Sequence, residues 1–229
     1  MSELVLTLPG GEVRRIAVRR VFNAGYAGRA QEEVAAHVAE LAELGVPAPA
    51  VVPALYPIAP YLAVQTGRVP AQHGRTSGEA EWALVIGDDV VDPLLTVACD
   101  HTDRDLEVHG VAWSKNAGLD VLGGEAWRLT EIADRLDAIT LRAWVRHGAG
   151  ETLIQDATLA ALLTPAYWLD LLRERGWLEP GTVLLSGTVA MRPGVDQFAE
   201  GWRVELADPA TGRALGLSYS VDRLPEPIG

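Results

Sequence analysis

Two stretches decide how this chain folds: GEAEWALVIG at residues 78–87 and CDHTDRDLE at residues 99–107. The first enters an apolar run through Glu79 and Glu81. Side chains two apart on a strand share a face, so both carboxylates point at one place. Two such groups repel unless a cation lies between them, and a hard divalent ion that prefers oxygen ligands is the natural filler. By itself the pattern also fits a solvated polar strand face. The second stretch packs Asp100, Asp103, Arg104, Asp105 and Glu107 directly after an apolar strand, a position where sites are often built. Read alone, it equally fits a polar loop with an ion pair between Arg104 and an aspartate. Lys115, in WSKNAG, is either a cation for a substrate or a surface lysine.

Working outward, 80–87 and 89–98 are predicted strands, with Pro93 breaking or edging the second. Residues 3–8 and 12–22 alternate on either side of Pro9, Gly10 and Gly11 and predict an opening hairpin. The run 29–44 places Val34, Val38, Leu41 and Ala42 on one helical face. Prolines crowd 47–70, which predicts a loop without regular structure. A short helix is expected at 130–135 and a strand at 137–146. An amphipathic helix at 164–175 is followed by strands at 181–187, 202–207 and 213–221. No repeat, linker or charge block divides the chain, so residues 1–229 are expected to form one domain.

Within the predicted 29–44 helix, His37 and Glu40 lie three apart and are therefore neighbours. A carboxylate beside imidazole orients the ring and raises its basicity, as a general base requires, although an ordinary exposed polar pair has the same spacing. Tryptophans 82, 113, 127, 144, 168, 177 and 202 are dispersed and suit core or interface anchors better than base-stacking platforms. A net charge of −12 repels nucleic acid and anionic membrane surfaces, arguing against both as partners. The single cysteine, Cys99, forms no intramolecular disulfide and fits a reducing compartment, with the cytoplasm as expected location. No apolar segment reaches the roughly 18 residues of a membrane helix.

In order along the chain, these clusters resemble the fumarylacetoacetate hydrolase superfamily. GEAEWALVIG resembles its ExE strand. CDHTDRDLE matches its Asp-x-x-x-Arg-Asp-Leu register through Asp100, Arg104, Asp105 and Leu106, and Lys115 matches its lysine. LIQDATLAALL at 153–163 and LEPGTVLLSGTV at 178–189 resemble two later segments, and HVAE at 37–40 resembles the His-x-x-Glu of a lid helix, here 29–44. The resemblance spans roughly 20–221 and implies a mixed α/β, mainly β fold: a rolled β-sheet with a few flanking helices, acting as a homodimer. It further implies Mg²⁺, or Mn²⁺ or Ca²⁺, on Glu79, Glu81 and Asp100, with no organic cofactor. Arg104 and Lys115 would contact substrate oxygens, Gly187 and Thr188 its carboxylate end, and His37 with Glu40 would activate water.

The activity so implied is metal-dependent hydrolysis of a C–C bond in a small oxo acid or diketone, β-dicarbonyl or acylpyruvate-like, through a metal-stabilised enolate. An oxo-acid decarboxylase or keto–enol isomerase on the same site, and a non-catalytic scaffold or ligand-binding protein, are the alternatives. Glu107 departs from the pattern, standing where the family carries glutamine. It puts a negative charge beside the expected substrate and points to a substrate less anionic than a dicarboxylate.

Overall fold

A computed structural model describes residues 2–43, 45 and 49–228. The opening hairpin pairs β1 (Glu3–Thr7) with β2 (Val13–Ala17), Leu4 opposite Ile16. The turn uses Gly10 and Gly11, both at positive φ, which glycine reaches without a Cβ clash. The predicted second strand of that hairpin ends early. Its remainder becomes β3 (Arg20–Gly25), which leaves the hairpin to join a separate sheet.

That sheet runs in the order β4 (Ala54–Ile58), β3, β13 (Thr182–Leu185), β7 (Thr76–Val85), β8 (Leu94–Asp103), β9 (Asp120–Leu122) and β5 (Ala63–Val64). A short β10 (Trp127–Arg128) also pairs with β8. A second sheet has the order β12 (Gly150–Thr158), β11 (Thr140–His147), β14 (Gly201–Asp208), β15 (Arg213–Arg223) and β6 (Arg68–Ala71). Among the described residues five α-helices flank the sheets: α1 (Gln31–Glu43), α2 (Arg104–Glu107), α3 (Val111–Lys115), α4 (Leu129–Ile132) and α5 (Pro165–Glu174). The fold is thus mixed α/β and mainly β, a rolled sheet with a few flanking helices, as expected. Among the described residues no helix is long and apolar enough to cross a membrane.

The proline-rich stretch is more regular than predicted. Where it is described, β4, β5 and β6 replace the expected loop, while residues 46–48 lie outside the described residues. Proline lacks a donor for a central ladder but is tolerated where one side of the strand is unpaired. Pro57 lies on β4 and Pro70 on β6, each the outermost strand of its sheet.

The centre of the molecule is the β7–β8 pair, in which every residue is buried. The pleat sends Ala80, Trp82 and Leu84 into one cluster with Leu141, Trp202 and Val204 of the facing sheet. Ala83, Val85, Leu94 and Ala98 point the other way, against Leu4, Leu6 and Ile16 of the hairpin. Sliding β7 by one residue would exchange these faces and drive Glu79 and Glu81 into the apolar cluster. A buried, unpaired ion costs several kcal/mol, so the two glutamates help to fix the register. Trp82, Trp168 and Trp202 are fully buried and Trp127 nearly so, in line with an anchoring role, whereas Trp113 is 67% exposed.

Candidate metal centre and active site

On the hairpin-facing side of β7, apolar residues give way at Glu81 and Glu79. The register sets Glu79 opposite Asp100 of β8, so the three carboxylates meet on one face. One oxygen from each lies within 4.8 Å of the others. All three side chains are buried. The strand β8 reaches Asp103, so Asp100 and Asp103 belong to the strand, while Asp105 and Glu107 fall on α2 and not on a loop. Asp103 then caps α2, accepting the N–H groups of Asp105 and Leu106 at 3.0 and 3.1 Å.

Lys115, at the end of α3, is buried and brings its ammonium between two of the carboxylates. It donates to Glu79 Oε2 at 3.0 Å and, through a very short hydrogen bond, to Asp100 Oδ2. Burial disfavours the ammonium, but Asp100, Glu79 and Glu81 outweigh it and hold the Lys115 pKa well above its ordinary value. Burial likewise works against the Glu79 carboxylate, yet Lys115 and Arg104 bring it down to about 2. Glu81 and Asp100 go the other way: burial raises both, only partly offset by Lys115.

Arg104 is anchored on all three nitrogens. Nε donates to Ser77 Oγ at 2.7 Å, Nη2 to Glu79 Oε1 at 2.8 Å, and Nη1 to Glu107 at 3.2 and 3.0 Å. Gly187 and Thr188 are similarly committed. The Gly187 N–H is donated to Glu81 Oε2 at 2.7 Å, while the Thr188 hydroxyl donates to the Ala80 carbonyl at 2.8 Å and accepts from Gln155. These three residues therefore hold the carboxylate strand in place as well as bordering it. Gly187 sits at φ 78° with a Cβ position 2.9 Å from the Ala24 carbonyl, so the close approach requires glycine.

Several residues of the cluster were not picked out in the sequence. Asn23 on β3 donates to Asp100 Oδ2 at 3.0 Å, joined there by Thr102 at 3.1 Å. Asp120, opposite Asp100 on β9, is fully buried with both oxygens lacking a hydrogen-bond partner. Burial and the charge of Asp100 raise its pKa well above the ordinary range. A lone aspartate amid Leu119, Val121 and Leu122 was the available signal. Tyr26 and Tyr56 lie within electrostatic range of Lys115 and Glu107. Burial, followed by Tyr56 and Glu107, lifts the Tyr26 phenol to about 12, so it keeps its proton.

His101 is next to Asp100 in sequence but points to the opposite face. Its nitrogens meet the Tyr219 hydroxyl at 3.0 Å and Thr76 Oγ1 at 2.9 Å. Burial, with Arg104 adding to it, lowers its pKa to about 4, which leaves it neutral. A cavity of about 490 Å³ is bordered by His101, His73 and His109 together with Asp103 and Asp105, and Glu79, Glu81 and Asp100 do not line it. His37 and Glu40 fall on α1, but their side chains lie outside the described residues.

The donor set suits a divalent cation. Glu81 Oε1 and Asp100 Oδ1 are buried without a hydrogen-bond partner, and such oxygens are costly unless a proton or cation meets them. Three carboxylates with no sulfur or imidazole among them favour Mg²⁺, Mn²⁺ or Ca²⁺ over softer metals.

The fold is shared with solved structures at 17–22% identity. The chain belongs to the family described as "Protein of unknown function (DUF2848)", whose model matches residues 24–219. Similar solved structures include Cg1458 with inhibitor, at 22% identity over 93% of this chain and 81% of that one, with a TM-score of 0.63. Another is 2-keto-3-deoxy-D-arabinonate dehydratase complexed with magnesium and 2,5-dioxopentanoate, at 19% identity, 93% and 77% coverage and a TM-score of 0.63. A third is 4-oxalocrotonate decarboxylase from Pseudomonas putida G7 complexed with calcium and acetate, at 21% identity, 90% and 78% coverage and a TM-score of 0.54. No curated protein matches the chain.

Proposed function

We propose that this protein is a divalent-metal-dependent enzyme acting on a small oxo acid or β-dicarbonyl compound, by hydrolysis of a C–C bond next to a carbonyl. The observation that carries the reading is the buried meeting of Glu79, Glu81 and Asp100 within 4.8 Å, with Lys115 at its edge. A divalent ion on these three residues would supply Lewis acidity toward a carbonyl oxygen. Lys115, already charged and held by two carboxylates, offsets negative charge gathering on the substrate. Arg104 fixes the rotamer of Glu79 through its 2.8 Å hydrogen bond, and Gly187 does the same for Glu81 at 2.7 Å. His37, oriented by Glu40, takes the proton of the attacking water. The base comes from α1, which begins five residues after the site-bordering Tyr26. A homodimeric state belongs to the same reading.

A lyase is the second reading, favoured by the dehydratase and decarboxylase names of the similar structures. Such a reaction shares the Lewis acid but needs no attacking water. The deciding experiment incubates the Mg²⁺-loaded protein with acylpyruvates, 2-oxo-3-deoxy acids and unsaturated oxo diacids, and weighs the products. Gain of 18 mass units with scission on the order of one bond per turnover marks hydrolysis, and loss of carbon dioxide or water marks a lyase. Hydrolysis at the wild-type rate by a His37→Ala variant would remove His37 from the mechanism. Wild-type metal affinity in a Glu79→Ala, Glu81→Ala double variant would remove the metal centre itself.

A further inference from the structure

The charged groups around the site are shared among more than one partner. Arg104 carries one positive charge yet bonds two carboxylates, Glu79 at 2.8 Å and Glu107 at 3.0 Å, with the arginine and Glu107 side chains only 12% and 14% exposed. Lys115 is likewise shared between Glu79 and Asp100. Within the described cluster, then, two cations face four carboxylates, Glu79, Glu81, Asp100 and Glu107. A divalent ion on the carboxylate triad brings this set to neutrality and leaves no positive surplus. Asp120, buried behind Asp100, adds nothing positive.

One carboxylate of a ligand still has a partner, namely that ion. Beside the triad stands Glu107, held by the same guanidinium as Glu79, and a second carboxylate placed on this side meets its charge. Among the described residues, Tyr26 and Tyr56, both uncharged phenols, lie within electrostatic range of Glu107. Glu107 can accept further hydrogen bonds, because each carboxylate oxygen has two lone pairs and Arg104 Nη1 meets each oxygen only once. A hydroxyl or amide N–H is thus welcome where a second carboxylate is repelled.

We propose that Glu107 is the specificity-determining residue of this site, restricting it to oxo acids with a single carboxylate whose far end bears a neutral hydrogen-bond donor such as a hydroxyl or carboxamide. Glu107 does this in two ways: it occupies Arg104 Nη1, the nitrogen not already taken by Glu79 or Ser77, and it contributes a repelling charge of its own. This rests on the metal-enzyme reading given above.

The test uses two probes that differ only at the far end, 2-oxoglutarate and 2-oxoglutaramate, each titrated calorimetrically into the full-length protein after Mg²⁺ binding has been measured alone. The wild type is expected to favour the amide by on the order of tenfold or more, the effect of one like charge in a partly buried cleft. In Glu107→Gln that preference falls to about unity or reverses. Thermal melts of the variant, with its Mg²⁺ affinity, show that it is folded and loaded. Equal affinity for the two probes in the wild type, or binding of neither while Mg²⁺ binds, overturns the assignment of Glu107 and leaves the metal centre standing. An unchanged preference in a folded Glu107→Gln overturns it as well. Failure of Mg²⁺ to bind, with or without probe, overturns the underlying enzyme reading, and the substrate-charge proposal with it.

Discussion

Replacing Lys115 by methionine keeps the apolar stem and removes the ammonium. Two buried carboxylates, Glu79 at 9% exposure and Asp100 at 0%, then lose their shared partner. Breaking a buried ion pair by deleting one member costs about 3–5 kcal/mol, because the remaining charge stays desolvated. For a chain of this length each kcal/mol moves the melting temperature by roughly 2–4 °C. The metal-free Lys115→Met variant should therefore melt on the order of 10 °C below the wild type. Adding Mg²⁺ should restore much of the loss, since Glu79 Oε2 and Asp100 Oδ2 no longer bond an ammonium that competes with the ion; binding at a hundredfold excess over Kd contributes about 2.7 kcal/mol. Circular dichroism melts in EDTA and across a Mg²⁺ titration read both effects. A metal-free variant melting within about 2 °C of the wild type would refute the role of Lys115 as counter-ion to the carboxylates. A loss that Mg²⁺ leaves unchanged would refute the shared use of their oxygens.

Two further outcomes concern the opposite face of the same strands. His101 is neutral in the fold, with its pKa depressed to about 4 by burial and Arg104, whereas the unfolded chain protonates it near its ordinary value of about 6.5. Its neutral-state stability is complete above about pH 6.5 and is lost as pH falls toward 4, amounting to about 3 kcal/mol. Urea unfolding at pH 7, 5.5 and 4.5 should show this slope reduced in His101→Gln; an identical slope would sink the assignment. Gly78→Ala places a methyl 2.6 Å from Trp202 and 2.8 Å from the Cys99 sulfur, so overpacking should cost about 1–3 kcal/mol, read as a drop in urea midpoint.

Much of the architecture was legible because hydrophobic period and turn chemistry agreed. The strands around 80–87, 137–146, 202–207 and 213–221, and the helices at 29–44 and 164–175, all have counterparts within a few residues. Legibility fails where local sequence and tertiary position compete. The proline-rich segment was predicted irregular because proline removes ladder donors, yet at a sheet edge that donor is not needed, and β4 and β6 form. The predicted 12–22 strand is continuous in pattern, but its two halves belong to different sheets, and alternation carries no information about which partner a strand takes.

The carboxylate meeting was foreshadowed by the spacing of Glu79 and Glu81, because a period of two places them on one face wherever the strand goes. The addition of Asp100 required the β7–β8 register, which spacing alone does not give. Arg104 and Glu107 show the same limit from the other side. The sequence places them three apart and suggests an arginine for the substrate, but only the fold reveals that Glu79, Glu107 and Ser77 already engage all its nitrogens. An arginine so engaged is a brace for a glutamate and a poor receptor for a second anion. The acidic character of the chain, with a formal charge of −12, thus continues into the cleft, where Arg104 and Lys115 are each shared between two carboxylates. A site built this way depends on its metal for any attraction to an anion, and substrate affinity should accordingly fall with metal removal far more steeply than with added salt, which screens exposed charges but hardly those of a buried cluster.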